Sequence, residues 1–165
     1  MQGISNSSVD HLRKVLESPD LNGTKYRLVE KIASGGMGEV FLVEDLALKR
    51  RVALKVVRPH MSSAEFTRRM SNEAQIIARL EHPGIVPIHD VGTLADGRPY
   101  YTMKYVQGQR LDEYVQSSHP PSELLRIFQK VCQAVGFAHS RGVVHRDLKP
   151  ENIMIGSFGE VLVMD

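Results

Sequence analysis

A chain of 165 residues with 42% apolar and 24% charged side chains can bury one core or two small lobes, and wholesale disorder is excluded. Its 21 basic and 19 acidic residues leave a net charge of +2, which argues against nucleic acid or an anionic membrane as the main partner. The lone Cys132 excludes a disulfide framework; with no apolar run near the ~20 residues of a membrane helix and no secretory-type N-terminus, a soluble cytoplasmic protein is expected.

Residues 1–8 are polar, and Val9, Leu12, Val15 and Leu16 fall at helical spacing, which predicts a short amphipathic helix over residues 9–17 ended before Pro19. Residues 19–25 have linker composition, so residues 1–25 form an extension and the domain starts at Tyr26. Strands are predicted over residues 26–32, 40–44 and 51–57, with Leu42, Val52, Leu54 and Val56 in the core. Between the first two lies a small-residue loop, Ala33-Ser34-Gly35-Gly36-Met37-Gly38-Glu39-Val40, whose glycines let backbone N–H groups approach phosphate oxygens. Taken alone this is an ordinary hairpin turn. Lys55, on an apolar strand, taken alone is a snorkelling residue.

From residue 62 to 80 the spacing of Phe66, Met70, Ile76, Ile77 and Leu80 predicts a helix, capped by Ser62 or Ser63 and with Glu65 in its first turn. Glu73 lies inside it, where a glutamate is ordinarily solvated. The His82-Pro83-Gly84-Ile85-Val86 turn stops the helix. Strands over residues 86–92 and 98–106 follow, joined by an Asp96-Gly97 turn. A short helix over residues 111–116 precedes a long one over residues 122–140, capped by Ser122 and stopped at Gly142. Its broad apolar stripe takes Cys132 into the core. A strand over residues 153–155, a turn over 156–159 and a partner strand over 161–164 complete the chain before Asp165.

The octet His145-Arg146-Asp147-Leu148-Lys149-Pro150-Glu151-Asn152 gathers a carboxylate, an ammonium and a carboxamide within six residues, stiffened by Pro150. Such a loop can hold a base, a cation for a phosphate and an oxygen ligand for a hard metal ion around one point. It resembles the H-R-D-x-K-x-x-N catalytic loop of eukaryotic-type, bacterial-like serine/threonine protein kinases. Other segments resemble that family in the right order. Ile32, Ala33, Ser34, Gly35, Gly36, Met37, Gly38, Glu39 and Val40 resemble its glycine-rich loop, with Ala33 in place of the first glycine. Val52-Ala53-Leu54-Lys55 resembles its strand lysine motif, and Met103-Lys104-Tyr105-Val106 resembles the hinge between its lobes.

The resemblance implies an α+β, protein-kinase-like fold over residues 26–165: a five-stranded antiparallel N-lobe with one helix (26–103), a hinge (104–108), and the first helices and catalytic loop of a truncated helical C-lobe (109–165). It implies that Asp147 receives the acceptor hydroxyl's proton, Lys149 steadies the γ-phosphate, and Lys55, oriented by Glu73, holds the α and β phosphates of ATP. Glu65 lies too early in the helix for Glu73's part. Val40, Ala53, Met103 and Met154 line the adenine pocket, and Tyr105 and Val106 offer it backbone hydrogen bonds. Asn152 and Asp165, the latter 18 residues after Asp147, ligate Mg²⁺. His145 braces the loop. The implied activity is transfer of the ATP γ-phosphate to a protein substrate with a Ser/Thr acceptor, from a chain that reads as an incomplete kinase domain. The alternative is a truncated, catalytically silent module that binds nucleotide or a partner.

Overall fold

A computed structural model describes residues 18–35, 38–58 and 64–164. The helix expected over residues 9–17, the caps Ser62 and Ser63, Gly36, Met37 and Asp165 lie outside the described residues. Among the described residues, strands β1 (Tyr26–Ser34), β2 (Gly38–Asp45), β3 (Arg50–Val57), β4 (Ile88–Thr93) and β5 (Pro99–Lys104) form one antiparallel sheet in the order β1-β2-β3-β5-β4.

Side-chain alternation along β3 gives this sheet two apolar faces. Val52, Leu54 and Val56 join Tyr26, Phe41, Val43, Leu94 and Tyr100 on the outer face. Ala53 and Val57 face the other way, where helix α1 (Ala64–Ala78) contributes Met70 and Ala74 to a cluster with Val86, Tyr101 and Met103. The expected core residues Leu42, Val52, Leu54 and Val56 are at most 1% exposed. Register shifts bend β1 twice, and the sheet curls until the Tyr26 hydroxyl donates to Asp90 on β4, the opposite edge, at 2.9 Å. Residues 19–25, expected as a linker, pack instead on this face: Leu21 lies against the outer cluster and Lys25 pairs with Asp90 at 2.9 Å. At the start of β2 the strands approach so closely that a Cβ on Gly38 would stand 2.5 Å from the Val56 carbonyl oxygen.

The turn after α1 joins this sheet to the rest. His82 Nδ1 accepts a hydrogen bond from the Gly84 amide, and its ring stacks on Phe137 at 5.1 Å. Leu80 and Ile85 then enter a second core with Ile127, Val131 and Ala134 of helix α3 (Pro121–Ser140) and with Ile153, Ile155, Val161 and Val163. The last four belong to strands β7 (Ile153–Gly156) and β8 (Val161–Val163). Main-chain bonds between Val86 and Val163 and between Val163 and Gly84 fix β8 beside the turn.

Three expectations need correction. A further strand, β6 (Gly108–Arg110), pairs with β7 to give the order β6-β7-β8; its three exposed residues carry no apolar alternation, so nothing in the pattern marks it. It leads into the short helix α2 (Leu111–Tyr114). Ser122 does not cap α3: Pro120 holds the cap position and Pro121 opens the helix, where a missing N–H costs nothing. Cys132 is exposed. The stripe of α3 is wider than one packing layer covers, so Ile127, Val131 and Ala134 are buried while Leu125 (66%) and Phe128 (65%) face outward beside Cys132. The C-terminal stop is as expected. Gly142 takes a left-handed φ of +75°, and the Gly142 and Val143 amides return to His139 and Ala138, closing a Schellman turn.

Candidate active site

Two sets of polar side chains are built by different parts of the fold. In the first, Lys55 projects from β3 toward α1 and is 7% exposed. Its Nζ lies 3.0 Å from Glu73 Oε1, beside a hollow lined by Val57, Phe66 and Met70. An ammonium in such surroundings persists only with a good partner. Tyr101 on β5 supplies a second contact that sequence reasoning missed: its hydroxyl donates to the same Glu73 oxygen at 2.8 Å. Glu65, the other helix glutamate, is exposed and pairs with Arg69, which leaves Glu73 as the residue beside Lys55.

The second set lies on the loop between α3 and β7. Asp147 Oδ2 receives Lys149 Nζ at 2.8 Å and Asn152 Nδ2 at 3.2 Å, and Nδ2 also donates to the Asp147 carbonyl at 2.8 Å. The bond from Lys149 holds the Asp147 carboxyl below its usual range, with the Asn152 amide adding to the effect. A 3-10 turn (Pro150–Asn152) closes the loop through a bond from the Asn152 amide to the Lys149 carbonyl. Arg146 takes a left-handed φ of +66°, a conformation costing about 1–2 kcal/mol for a residue with a side chain. Strain of that kind concentrates where a loop must present a particular group.

Met164 joins the two sets. Its amide donates to the Asn152 carbonyl at 2.8 Å, and its carbonyl accepts from His145 Nε2 at 2.9 Å. That bond makes His145 Nδ1 the acceptor, and the Asp147 amide points at it from 3.4 Å. The Met164 side chain packs on the cluster that holds Ala53, Tyr101 and Met103. So His145 does brace the loop, and the brace runs through a residue that no motif singles out.

The remaining candidates fall around the same inner face. Val40 packs against the cluster of Ala53 and Met103. Tyr105 and Val106 follow the end of β5, and among the described residues neither makes a backbone–backbone hydrogen bond. Met154 points away from Ile153 and Ile155, out of the second core. Ile32, Ala33, Ser34 and Gly35 are exposed, and Gly35 bonds across the loop to the Gly38 carbonyl at 2.9 Å. Ser34 Oγ accepts from Arg58 at 2.7 Å. Glu39 is buried on the face opposite Val40 and pairs with Lys31, so its side chain is turned away from Lys55.

The family model of the protein kinase domain matches residues 26–165. The chain belongs to the protein kinase family. Serine/threonine-protein kinase PknD of Protochlamydia amoebophila is 39% identical to this kinase-family chain over 155 residues. PknD of Chlamydia trachomatis serovar L2b is 44% identical over 156 residues. The alignments cover 85% and 86% of the chain but 16% of either relative. The chain thus spans under a fifth of the length of these curated relatives. The kinase domain of Mycobacterium tuberculosis PknI superposes with a TM-score of 0.73 at 33% identity, over 90% of this chain and 62% of that one. The apo form of PpkA-294 gives 0.77 at 20% identity, over 90% and 60%, a likeness of fold alone. The protein-kinase-like α+β fold expected from the sequence is therefore present: a five-stranded antiparallel sheet with one helix, then the first helices of a second lobe.

Proposed function

We propose that this chain is the nucleotide-binding and catalytic-loop part of a serine/threonine protein kinase, transferring the γ-phosphate of ATP to a protein hydroxyl. The observation that carries the reading is the convergence on Met164: it ties the loop bearing Asp147, Lys149 and Asn152 to the cluster behind Lys55 and Glu73. Phosphoryl transfer asks little covalent help of a protein; it asks for alignment and charge neutralisation. Lys55 holds the α and β phosphates while Glu73 fixes its direction, and the loop from Gly35 to Gly38 covers them. Val40, Ala53 and Met103 enclose the adenine, which bonds to the main chain of Tyr105 and Val106. The acceptor oxygen forms its bond to the γ-phosphorus as the bond to the β-bridging oxygen breaks, and the acceptor's proton passes to Asp147. Lys149 neutralises charge on the transferring group, and a lysine at this position suits a Ser/Thr acceptor.

The Asn152 side chain suits a hard cation, since its amide nitrogen is spent on Asp147 and a carboxamide's other polar atom is an oxygen. With Asp165 it would hold Mg²⁺, which supplies charge neutralisation on the phosphates. No helix among the described residues is long and apolar enough to cross a membrane, and with ATP as the donor we assign this part to the cytoplasm. The alternative is a catalytically silent module that binds nucleotide or a partner, for which the outward Leu125 and Phe128 would be the partner surface.

Labelled ATP separates the two. The full-length gene product, incubated with Mg·ATP and a generic basic protein, is expected to yield phosphoserine and phosphothreonine, and the Asp147→Asn protein to yield neither. Equal labelling by both proteins, or no labelling by the unaltered one, would overturn the kinase reading.

A further inference from the structure

We propose that Tyr101 is a positioning residue that holds Glu73, and through it Lys55, in place before any nucleotide arrives. This rests on the function proposed above, in which Lys55 holds phosphates. Lys55 and Tyr101 are direct cross-strand partners on β3 and β5, and both reach the same atom: Glu73 Oε1 accepts from Lys55 at 3.0 Å and from the Tyr101 hydroxyl at 2.8 Å. The tyrosine is 1% exposed, among the most fully buried large side chains, so its hydroxyl needs a protein partner and finds one in Glu73. The ammonium also lies 5.6 Å from the Tyr101 ring centroid, where the ring face favours the cation.

The second donor matters because of how α1 is otherwise held. Met70 and Ala74 anchor it by apolar packing, which has no direction and tolerates sliding or rotation. Glu73 keeps a quarter of its side chain exposed, so water competes for its oxygens. A single lysine bond leaves the carboxylate free to swivel about that contact. Two donors from adjacent strands of one rigid sheet fix both its position and its rotation, and thereby the height of α1 against the sheet. The pair then stands ready-made, and nucleotide binding need not supply the ordering.

The test is a double-mutant cycle read by Mg·AMP-PNP affinity in the full-length protein, with amide hydrogen exchange of α1 measured without nucleotide. Tyr101→Phe keeps the ring and removes only the hydroxyl, so packing is preserved. It is expected to weaken affinity about 3–10-fold, the size of one ordinary intramolecular hydrogen bond, and to speed exchange in α1. In a Glu73→Ala background the same change should cause no further loss, because the hydroxyl acts only through Glu73. Equal losses in both backgrounds, or affinity and exchange unaltered by Tyr101→Phe, would overturn the role. Lys55→Met is the control for the underlying reading. If it weakens binding while Tyr101→Phe does not, the tyrosine's role falls and the kinase reading stands; if neither weakens binding, both fall.

Discussion

Asp147→Asn is expected to lower phosphoryl transfer by about 10²–10⁴-fold while Mg·ATP affinity and the melting temperature stay near their starting values. Asp147 is exposed, so its ion pair with Lys149 is screened by water and adds little to stability, and asparagine keeps its shape and can still accept from Asn152. What disappears is the anion that orients the acceptor hydroxyl and takes its proton. The bond from Lys149 sets how that anion behaves. A carboxyl held below its ordinary 3.8 is a weak base, so it orients the hydroxyl early and receives the proton late, as the new bond to phosphorus forms. The pH consequence has a definite sign. A depressed folded-state pKa gives stabilisation that is complete above the unfolded value and fades as pH falls through the folded one. Titration of Asp147 therefore leaves no inflection in the rate profile between about pH 5 and 8. An acid limb within that range, absent from Asp147→Asn, would contradict this part of the mechanism.

The second large effect is at Lys55. Lys55→Met is expected to lower kcat/KM for ATP by about 10²–10³-fold, as removal of a preorganised charge in a water-poor site does. Its effect on stability should be smaller than that of Glu73→Ala. The ammonium is the more buried partner, with 8% of its side chain exposed against 25% for the carboxylate. Methionine fills the lysine's place with an apolar chain, and Glu73 keeps both the Tyr101 hydroxyl and access to water. Glu73→Ala strands the buried ammonium without this carboxylate and opens space beneath α1, a loss of up to about 3 kcal/mol. Urea denaturation of the two variants checks the order. Lys55→Met as the less stable protein would mean that the pair's energetics are dominated by something other than burial of the cation.

The sheet and α1 were legible in the sequence because each obeys one period. Val52, Leu54 and Val56 alternate against Ala53 and Val57, and Phe66, Met70, Ile77 and Leu80 repeat at helical spacing. Strand β6 was illegible because its polar residues are held by the β7 backbone and not by side-chain burial. Cys132 was misplaced because periodicity reveals that a stripe is apolar but not how much of it a neighbour covers. The candidate site divides in the same way. Asp147, Lys149 and Asn152 sit within six residues, so their meeting is local and readable. Lys55 and Glu73 are 18 residues apart on different elements, and only likeness to a family suggested their pairing. Tyr101 and Met164 carry no motif: one acts through a cross-strand partnership, the other through main-chain atoms available to any residue type.

The claim that everything else depends on is that one triphosphate lies between the β3 lysine and the loop lysine. An ATP derivative with a reactive acyl group on its γ-phosphate tests it directly, because the acyl group passes to amines within reach, and mass spectrometry then names the lysines. Acylation of both Lys55 and Lys149, each suppressed by excess Mg·ATP, is the predicted result. Label on Lys49, Lys104 or Lys130 instead, or label on either active-site lysine that excess Mg·ATP fails to suppress, would contradict it.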